Sequence, residues 1–153
     1  MARAVVRVAS GMEDEAPLAD ELVTPLLQLL QLLRDAGGGD LEIHIVLLAI
    51  AERTIAHPDF RALSEAERLA ADAGPFPTRG VNVRSIADST GMPRETVRRK
   101  VAKLLRAGWV ARTPEGLSFT GKAYRVLTPA RLQVEQLALK FHDLVAQRRT
   151  RGA

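Results

Sequence analysis

Residues 83–107 constrain the fold most, because two short amphipathic patterns there are separated by a glycine and a proline. Asn82 is a good N-cap for the first helix, since its side chain can accept a hydrogen bond from a free first-turn amide. Gly91 tolerates the positive φ that a tight turn between helices requires. Pro93 suits the first turn of a second helix. We therefore predict two helices joined by a sharp turn, the second over about 93–107.

The second predicted helix has two contrasting faces. Its apolar residues recur at helical spacing and should be buried: Val97, Val101, Leu104 and Leu105. The other face carries mostly charged residues: Arg94, Glu95, Thr96, Arg98, Arg99, Lys100 and Lys103. A helix of this kind can lie in the major groove of DNA, where arginine pairs with guanine and basic side chains neutralise phosphates.

A short β-hairpin is predicted directly after this helix. Gly108 can end the helix as a C-cap, and the residues that follow read as a strand, a tight turn and a returning strand over 109–120. Arg112 on the first strand would place a charge near a flanking phosphate. Helix, turn, basic helix and hairpin is the order of a winged helix-turn-helix, which we assign to residues 79–121.

The charge of the chain is concentrated in the same segment. Between Arg79 and Arg112 there are nine basic and two acidic residues, a net charge of +7, whereas the whole chain carries +4. The remainder therefore carries −3. Such asymmetry is typical of a polyanion-binding segment on a near-neutral scaffold.

The sequence from Ser85 to Arg99, continuing through Leu104 to Val110, resembles bacterial winged-helix transcriptional regulators. Its pattern of Ile-Ala, a glycine and then Arg-Glu-Thr-Val is most similar to the recognition helix of the Crp/Fnr family. The resemblance implies that Arg94, Glu95 and Arg99 read bases, with Glu95 accepting from cytosine, and that Asn82 contacts the DNA backbone. The Crp/Fnr match does not extend upstream. Helices before and after the module resemble the layout of the dimeric MarR family.

The regions on either side of the module read as helical. We expect a flexible arm over 1–17, a helical dimerisation or support region over 18–78, C-terminal dimerisation helices over 122–149 and a tail over 150–153. Leucines recur at i, i+4 and i+7 in the first of these helices, and Leu137, Phe141, Leu144 and Val145 form an apolar stripe on the last one. Both stripes could also form a monomer's core. We favour a homodimer because two recognition helices must lie about 34 Å apart to enter successive major grooves.

Two further expectations concern individual helices of the support region. Residues 41–57 are apolar on nearly every side, which predicts a buried helix, with a strand possible at its start. Pro25 should kink a leucine-rich helix or mark its beginning, and Pro58 should close the following one. Because aromatic residues make up only 4% of the chain, we expect the core to be built from aliphatic side chains.

Several function classes find no support in the sequence. The chain has no cysteine, which excludes disulfides and fits a cytoplasmic protein. The longest apolar run, Ile45–Ala51, is far shorter than the roughly 20 residues of a membrane span, so no membrane partner is expected. The three histidines lack the spacing of metal ligands, and no nucleophile–base pair or phosphate-binding loop is present. We expect no cofactor and no enzymatic activity.

The sequence thus predicts a mainly α protein with a small β-hairpin wing, in which a winged helix-turn-helix is flanked by N- and C-terminal helices. The expected function is that of a transcriptional regulator that binds double-stranded DNA in a sequence-specific manner. A small-molecule effector could bind between the 41–57 helix and the module, although nothing in the sequence names it. The alternative is a winged-helix protein–protein interaction or adaptor module without DNA binding.

Overall fold

The computed structural model describes residues 18–70 and 72–151. Within them, eight helices surround one two-stranded antiparallel sheet: α1 (Leu18–Ala36), α2 (Glu42–Ile55), α3 (Pro58–Ala62), α4 (Glu65–Leu69), α5 (Val83–Thr90), α6 (Arg94–Ala107), β1 (Val110–Thr113), β2 (Gly116–Phe119), α7 (Gly121–Val126) and α8 (Thr128–Arg151). The predicted mainly α fold with a small hairpin is confirmed. The predicted arm over 1–17 and the last two residues of the predicted tail lie outside the described residues.

Helix α2 forms the centre of the core. Val46, Leu47 and Ile50 are fully buried, and the helix packs against α5, α6 and β2. Its opposite side stays exposed, with Ile45 and Leu48 about half accessible. The expectation that this helix is buried all round was therefore wrong, because in the described part of the chain no element covers that side.

The hairpin lies within one residue of its predicted bounds. Val110 pairs with Phe119 and Thr113 with Gly116, so that a two-residue turn joins the strands. Thr120 leaves the strand because its hydroxyl accepts a hydrogen bond from the backbone N–H of Ala123 and caps α7. On the other edge of β2, the backbone N–H of Phe76 donates to the Phe119 carbonyl at 2.9 Å. The segment before α5 thus forms an isolated β-bridge, Pro75 with Thr120, beside the two-stranded sheet.

Four aromatic side chains hold this part of the core together: Phe60, Phe76, Phe119 and Tyr124. Their ring centroids lie 5.0–6.4 Å apart, mostly edge to face, a geometry that aromatic quadrupoles favour. The core as a whole is mostly aliphatic, as expected from the scarcity of aromatic residues. Four of the six aromatic residues of the chain lie together where α3, the sheet and α7 meet.

Helices α1 and α8 pack along each other. We call this pair of helices (residues 18–36 and 128–151) the arm; it is distinct from the predicted flexible arm over 1–17. The Gln133 side-chain amide donates to the Pro25 carbonyl at 3.3 Å and to Gln28 Oε1 at 3.2 Å. Helix α1 runs through Pro25 rather than beginning there. Pro58 likewise begins α3 instead of only closing α2, because His57 Nδ1 accepts from the Asp59 amide and caps the new helix. Proline suits this first position, whose N–H has no helical partner.

A polar cluster fixes the start of α8 to the core. The Tyr124 hydroxyl donates to Glu65 Oε2 at 2.6 Å, and Arg131 donates to both Tyr124 and Glu65 at 3.0 and 3.1 Å. The Arg131 guanidinium also lies 3.8 Å from the centre of the Tyr124 ring. The hydrogen bond from Tyr124 lowers the pKa of Glu65, and burial raises the pKa of Tyr124. Glu65 is thus kept anionic and able to hold both partners.

Candidate nucleic-acid interface

The first helix of the pair and the turn after it are fixed by local interactions that the sequence predicted. Asn82 Oδ1 accepts from the backbone N–H of Ser85 at 2.9 Å, and the Ser85 hydroxyl oxygen accepts in return from the Asn82 N–H. This capping box satisfies two amides of the first turn. Gly91 ends α5 at φ 70°, a conformation that costs glycine little. The predicted cap and turn are confirmed, and the cap uses the Asn82 side-chain oxygen.

Helix α6 separates its apolar and charged residues as the sequence predicted for most positions. Val97, Val101 and Leu104 are buried against the core, and Leu105 is partly buried beside them. The exposed arc of the first two turns carries four charged side chains: Arg94, Glu95, Arg98 and Arg99. Thr96 is half-buried at the edge of this arc. We call these five residues the α6 face.

Within the α6 face, Arg98 and Glu95 form an ion pair of 2.8 Å between Nη2 and Oε2. Both side chains are largely exposed, and surface pairs of this kind contribute about 0–1 kcal/mol. The pair can therefore open at little cost when a stronger partner, such as a phosphate or a base edge, approaches. The α6 face is charged and accessible but not locked by its own contacts.

One basic residue of α6, Lys100, does not lie where the helical pattern placed it, and a second, Lys103, contacts the same carboxylate. Lys100 was expected on the outward face, but it is buried, and its Nζ lies 2.6 Å from Asp40 Oδ1. Lys103 remains exposed, yet its Nζ is 3.5 Å from Asp40 Oδ2. A carboxylate 60 residues away in the sequence thus neutralises one lysine and partly engages the other.

The hairpin closes against the residue that precedes the α5 cap. The Leu117 N–H donates to the Val81 carbonyl at 2.8 Å, and a Cβ on Gly116 would collide with the Val81 backbone. Between the hairpin and α5 lies an open cleft of about 440 Å³, whose charged lining residues are Arg84 and Arg112. Arg112 is exposed, as predicted.

The sequence analysis missed Arg84 as a candidate site residue. Its Nε lies 3.8 Å from Asp88 Oδ2 and both side chains are largely exposed, so this partner holds it weakly. Arg84 lies in the first turn of α5, two residues after Asn82, where a basic side chain can reach an anion near the helix N-terminus. That position was a signal available from the sequence.

The other kinds of site considered are a metal site, a membrane span and an effector pocket. Within residues 18–70 and 72–151, no group of three or more His, Asp or Glu side chains could hold a metal ion. No described helix is long and apolar enough to cross a membrane. A cleft between α2 and α5 has about 20 Å³, room for roughly one water. The effector site therefore stays a prediction.

Comparison with protein-family models, with curated proteins and with solved structures found no match to this chain. The candidate interface therefore rests on its own geometry.

Proposed function

We propose that the protein is a transcriptional regulator that binds double-stranded DNA and reads its sequence with α6. The observation that carries the proposal is the α6 face, where three arginines project from the exposed side of a helix whose other side is buried in the core. A helix with its side chains is about 10–12 Å across, and the major groove of B-DNA is about 12 Å wide. The helix and the groove therefore match in size and in charge.

Individual roles follow from side-chain chemistry. Arg94 and Arg99 are suited to bidentate contacts with guanine, and Glu95 to accepting from the cytosine amino group. Arg98 can leave Glu95 for a phosphate, and Thr96 lies at the edge of the arc where it can meet a base or the backbone. These assignments make α6 the recognition helix over about 93–107.

The surrounding elements support a winged helix-turn-helix arrangement. The α5–turn–α6 unit is followed at once by the β1–β2 hairpin, whose inner residues Val110 and Phe119 are buried in the same core. Arg112 on the hairpin and Arg84 on α5 share one cleft, so both guanidinium groups could neutralise neighbouring phosphates. Asn82 and Lys103 are the remaining residues proposed to contact the DNA backbone. Lys103 should bind a phosphate less strongly because Asp40 competes for its ammonium group.

We also propose that the protein acts as a homodimer held together by the arm. Eight large apolar side chains of the arm are between 42% and 65% exposed: Val23, Leu26, Leu27, Leu30, Leu132, Val134, Leu139 and Phe141. These are eight of the thirteen exposed large apolar side chains in the described part of the chain, the others lying on or beside α2 and α7. Exposed apolar surface of this kind is typical of an interaction site, and standard interfaces bury about 800 Å² on each partner. A second copy of the chain would cover this surface and present a second α6 to the DNA.

The test is a mobility-shift assay on fragments selected from genomic DNA by the wild-type protein. Replacing Arg94 by alanine should cost about 1–3 kcal/mol of specific binding and relax the preference at one base pair. The double variant Arg94→Ala/Arg99→Ala should lose most of the discrimination between the selected fragment and random DNA. Unchanged affinity of the double variant, or no DNA binding by the wild type at low salt, would remove the basis of the proposal.

Arg106→Ala is the matched control. Arg106 is exposed on the last turn of the same helix, and its substitution removes the same charge. It should weaken binding to all sequences alike and leave the ratio of specific to random affinity unchanged. An equal loss of specificity in Arg106→Ala would show that net charge, and not the α6 face, determines the preference.

A further inference from the structure

The ion pair that holds α6 on its buried side joins two distant parts of the chain. Lys100 Nζ donates to Asp40 Oδ1 and Oδ2 at 2.6 and 2.7 Å and lies 3.0 Å from Glu42 Oε2. The Lys100 side chain is 9% exposed and that of Asp40 22%, so that water can replace little of this interaction. The ammonium group is therefore held at one place on the side of α6 opposite the α6 face.

The loop that carries Asp40 is shaped by three consecutive glycines, Gly37, Gly38 and Gly39. A Cβ on Gly37 would lie 2.7 Å from both the Asp40 carbonyl oxygen and His44 Nε2. Gly38 and Gly39 have φ values of 62° and 91°, which favour glycine. Asp40 Oδ1 also accepts from the Ile43 N–H at 3.3 Å, so the carboxylate holds the first turn of α2 and the middle of α6 at once.

Both charges persist across the physiological range. The hydrogen bond from Lys100 lowers the pKa of Asp40, and the same bond raises the pKa of Lys100. Removing Asp40 leaves the Lys100 ammonium with Glu42 alone, whose side chain is 60% exposed, and a buried ion pair that loses one member forces the surrounding structure to rearrange. The Lys100 ammonium would then shift toward Glu42 and water, and α6 would move with it.

We propose that Asp40 is a positioning residue for the DNA-reading helix: through Lys100 it sets the rotation and height of α6 on α2, and so the direction of the α6 face. The inference rests on the proposed function and deepens it. Because Asp40 belongs to the loop between α1 and α2, it also links α6 mechanically to the arm.

The sign of one effect distinguishes positioning from simple charge. Asp40 is an anion beside a surface that binds DNA, so on electrostatic grounds alone Asp40→Asn should tighten binding to every sequence. Positioning predicts the opposite for the selected fragment. Loss of one well-aligned base contact should weaken specific binding by roughly 5- to 100-fold, while affinity for random DNA stays equal or rises.

Asp35→Asn is the matched control. Asp35 lies near the end of α1, is largely exposed and pairs only with its neighbour Arg34 in the described structure, and its substitution makes the same charge change. It should leave specific affinity within about two-fold of the wild type, since exposed pairs contribute little. Specific binding by Asp40→Asn that equals or exceeds that of Asp35→Asn would overturn the inference.

A second measurement does not depend on DNA. Relative to the wild type, Asp40→Asn should accelerate amide hydrogen exchange in α6 more than in α8. Asp35→Asn should leave exchange in both helices unchanged. If the wild type binds no DNA while α6 still responds in this way, the proposed function fails but the hold of Asp40 on α6 stands. Unchanged exchange in α6 would refute that hold whatever the protein binds.

Lys100→Met is a second variant that tests the inference if Asp40→Asn does not fold. It removes the buried ammonium but keeps most of the apolar stem, and it leaves Asp40 to Lys103 and solvent. Specific affinity should fall as in Asp40→Asn, and the conservative Asp40→Glu, which keeps the carboxylate, should lie closer to the wild type. Full specific affinity in a folded Lys100→Met protein would contradict the inference.

Discussion

His44 is a second buried ionisable side chain beside the loop that carries Asp40. It is almost fully buried, and its ring centroid lies 5.9 Å from that of Trp109, just before the hairpin. Burial lowers the pKa of His44, with smaller opposing effects from the Leu33 backbone and the Asp40 carboxylate. The folded protein therefore holds this imidazole neutral at pH values where an unfolded chain already begins to protonate it.

This difference predicts a pH dependence of stability. Because the folded pKa lies below the unfolded value of about 6.5, the unfolded state binds the proton first as the pH falls. The contribution of His44 is fully present above pH 6.5 and is lost as the pH falls below it, toward the folded pKa. Urea unfolding at pH 7.5, 6 and 5 should show this loss in the wild type, and His44→Leu should show a flatter profile.

An exposed histidine provides the control for that experiment. His142 is largely exposed on α8 beside Asp143, and His142→Gln should keep the wild-type slope between pH 7.5 and 5. Identical slopes for the wild type and His44→Leu would mean that another group accounts for the acid sensitivity. The measurement goes no lower than pH 5 so that carboxylate titration contributes little.

At the scale of the element, the start of α5 tests whether Asn82 serves the fold, the DNA or both. Asn82→Ala removes the acceptor of the Ser85 N–H and should cost about 1 kcal/mol of unfolding free energy. Asn82→Ser keeps a capping oxygen and should stay close to wild-type stability. Thermal unfolding of the two variants measures the cap, and their affinity for the selected fragment measures the contact with the DNA backbone.

The two roles give different patterns in these variants. A pure cap predicts that Asn82→Ser matches the wild type in both stability and affinity. A DNA contact that needs the amide group predicts a stable Asn82→Ser protein with weaker binding to all sequences. Wild-type stability of Asn82→Ala would contradict the cap, despite the hydrogen bond of 2.9 Å.

The elements predicted well from the sequence are those whose ends are set by local chemistry. Asn82, Gly91 and Gly108 each determine a helix end through their own side chain or φ angle, and such signals lie within a few residues of their effect. Helix periodicity also placed the arginines of the α6 face on the outside. The bounds of α5 and α6 followed within a residue.

Lys100 shows what the sequence could not supply. Its spacing of three from Val97 and four from Leu104 puts it next to the apolar stripe, but its residue type favours solvent. Its burial depends on Asp40 and Glu42, which only the tertiary fold brings to it. The prediction that α2 is buried on every side failed for the same reason. Apolar composition predicts that a surface will be buried, but not whether a neighbouring element is present to cover it.

At the scale of the whole molecule, a compact core carries a long arm that contributes few residues to it, Leu33 and Ala130 among them. In the core, α2, α5, α6 and the hairpin bury one another's apolar residues. In the arm, α1 and α8 cover only one stripe of each other, and Pro25 is the one described residue of α1 that is buried. A pair of helices that exposes so much apolar surface to water favours association with a partner over the monomeric state.

The arm therefore predicts the oligomeric state. Leu27→Glu combined with Leu139→Glu places a charge on each helix of the arm at positions 53% and 65% exposed, so the folded monomer should tolerate both. Sedimentation should show the wild type at twice its 16.7 kDa chain mass and the double variant as a monomer. Leu48→Glu, on the 54% exposed outer side of α2, makes a similar change outside the arm and should remain dimeric.

The consequence for DNA binding follows from symmetry. A dimer places two α6 helices on one duplex, so that half-sites about 34 Å apart are bound together. The monomeric variant should therefore bind a single half-site as tightly as the wild type does. It should lose the gain in affinity that a second half-site gives the wild type. That gain, measured as the ratio of affinities for paired and single half-sites, is the quantity that depends on the arm alone. If the wild type sediments as a monomer at micromolar concentration, or if the ratio is the same in both proteins, the arm serves some other partner and each α6 reads DNA by itself.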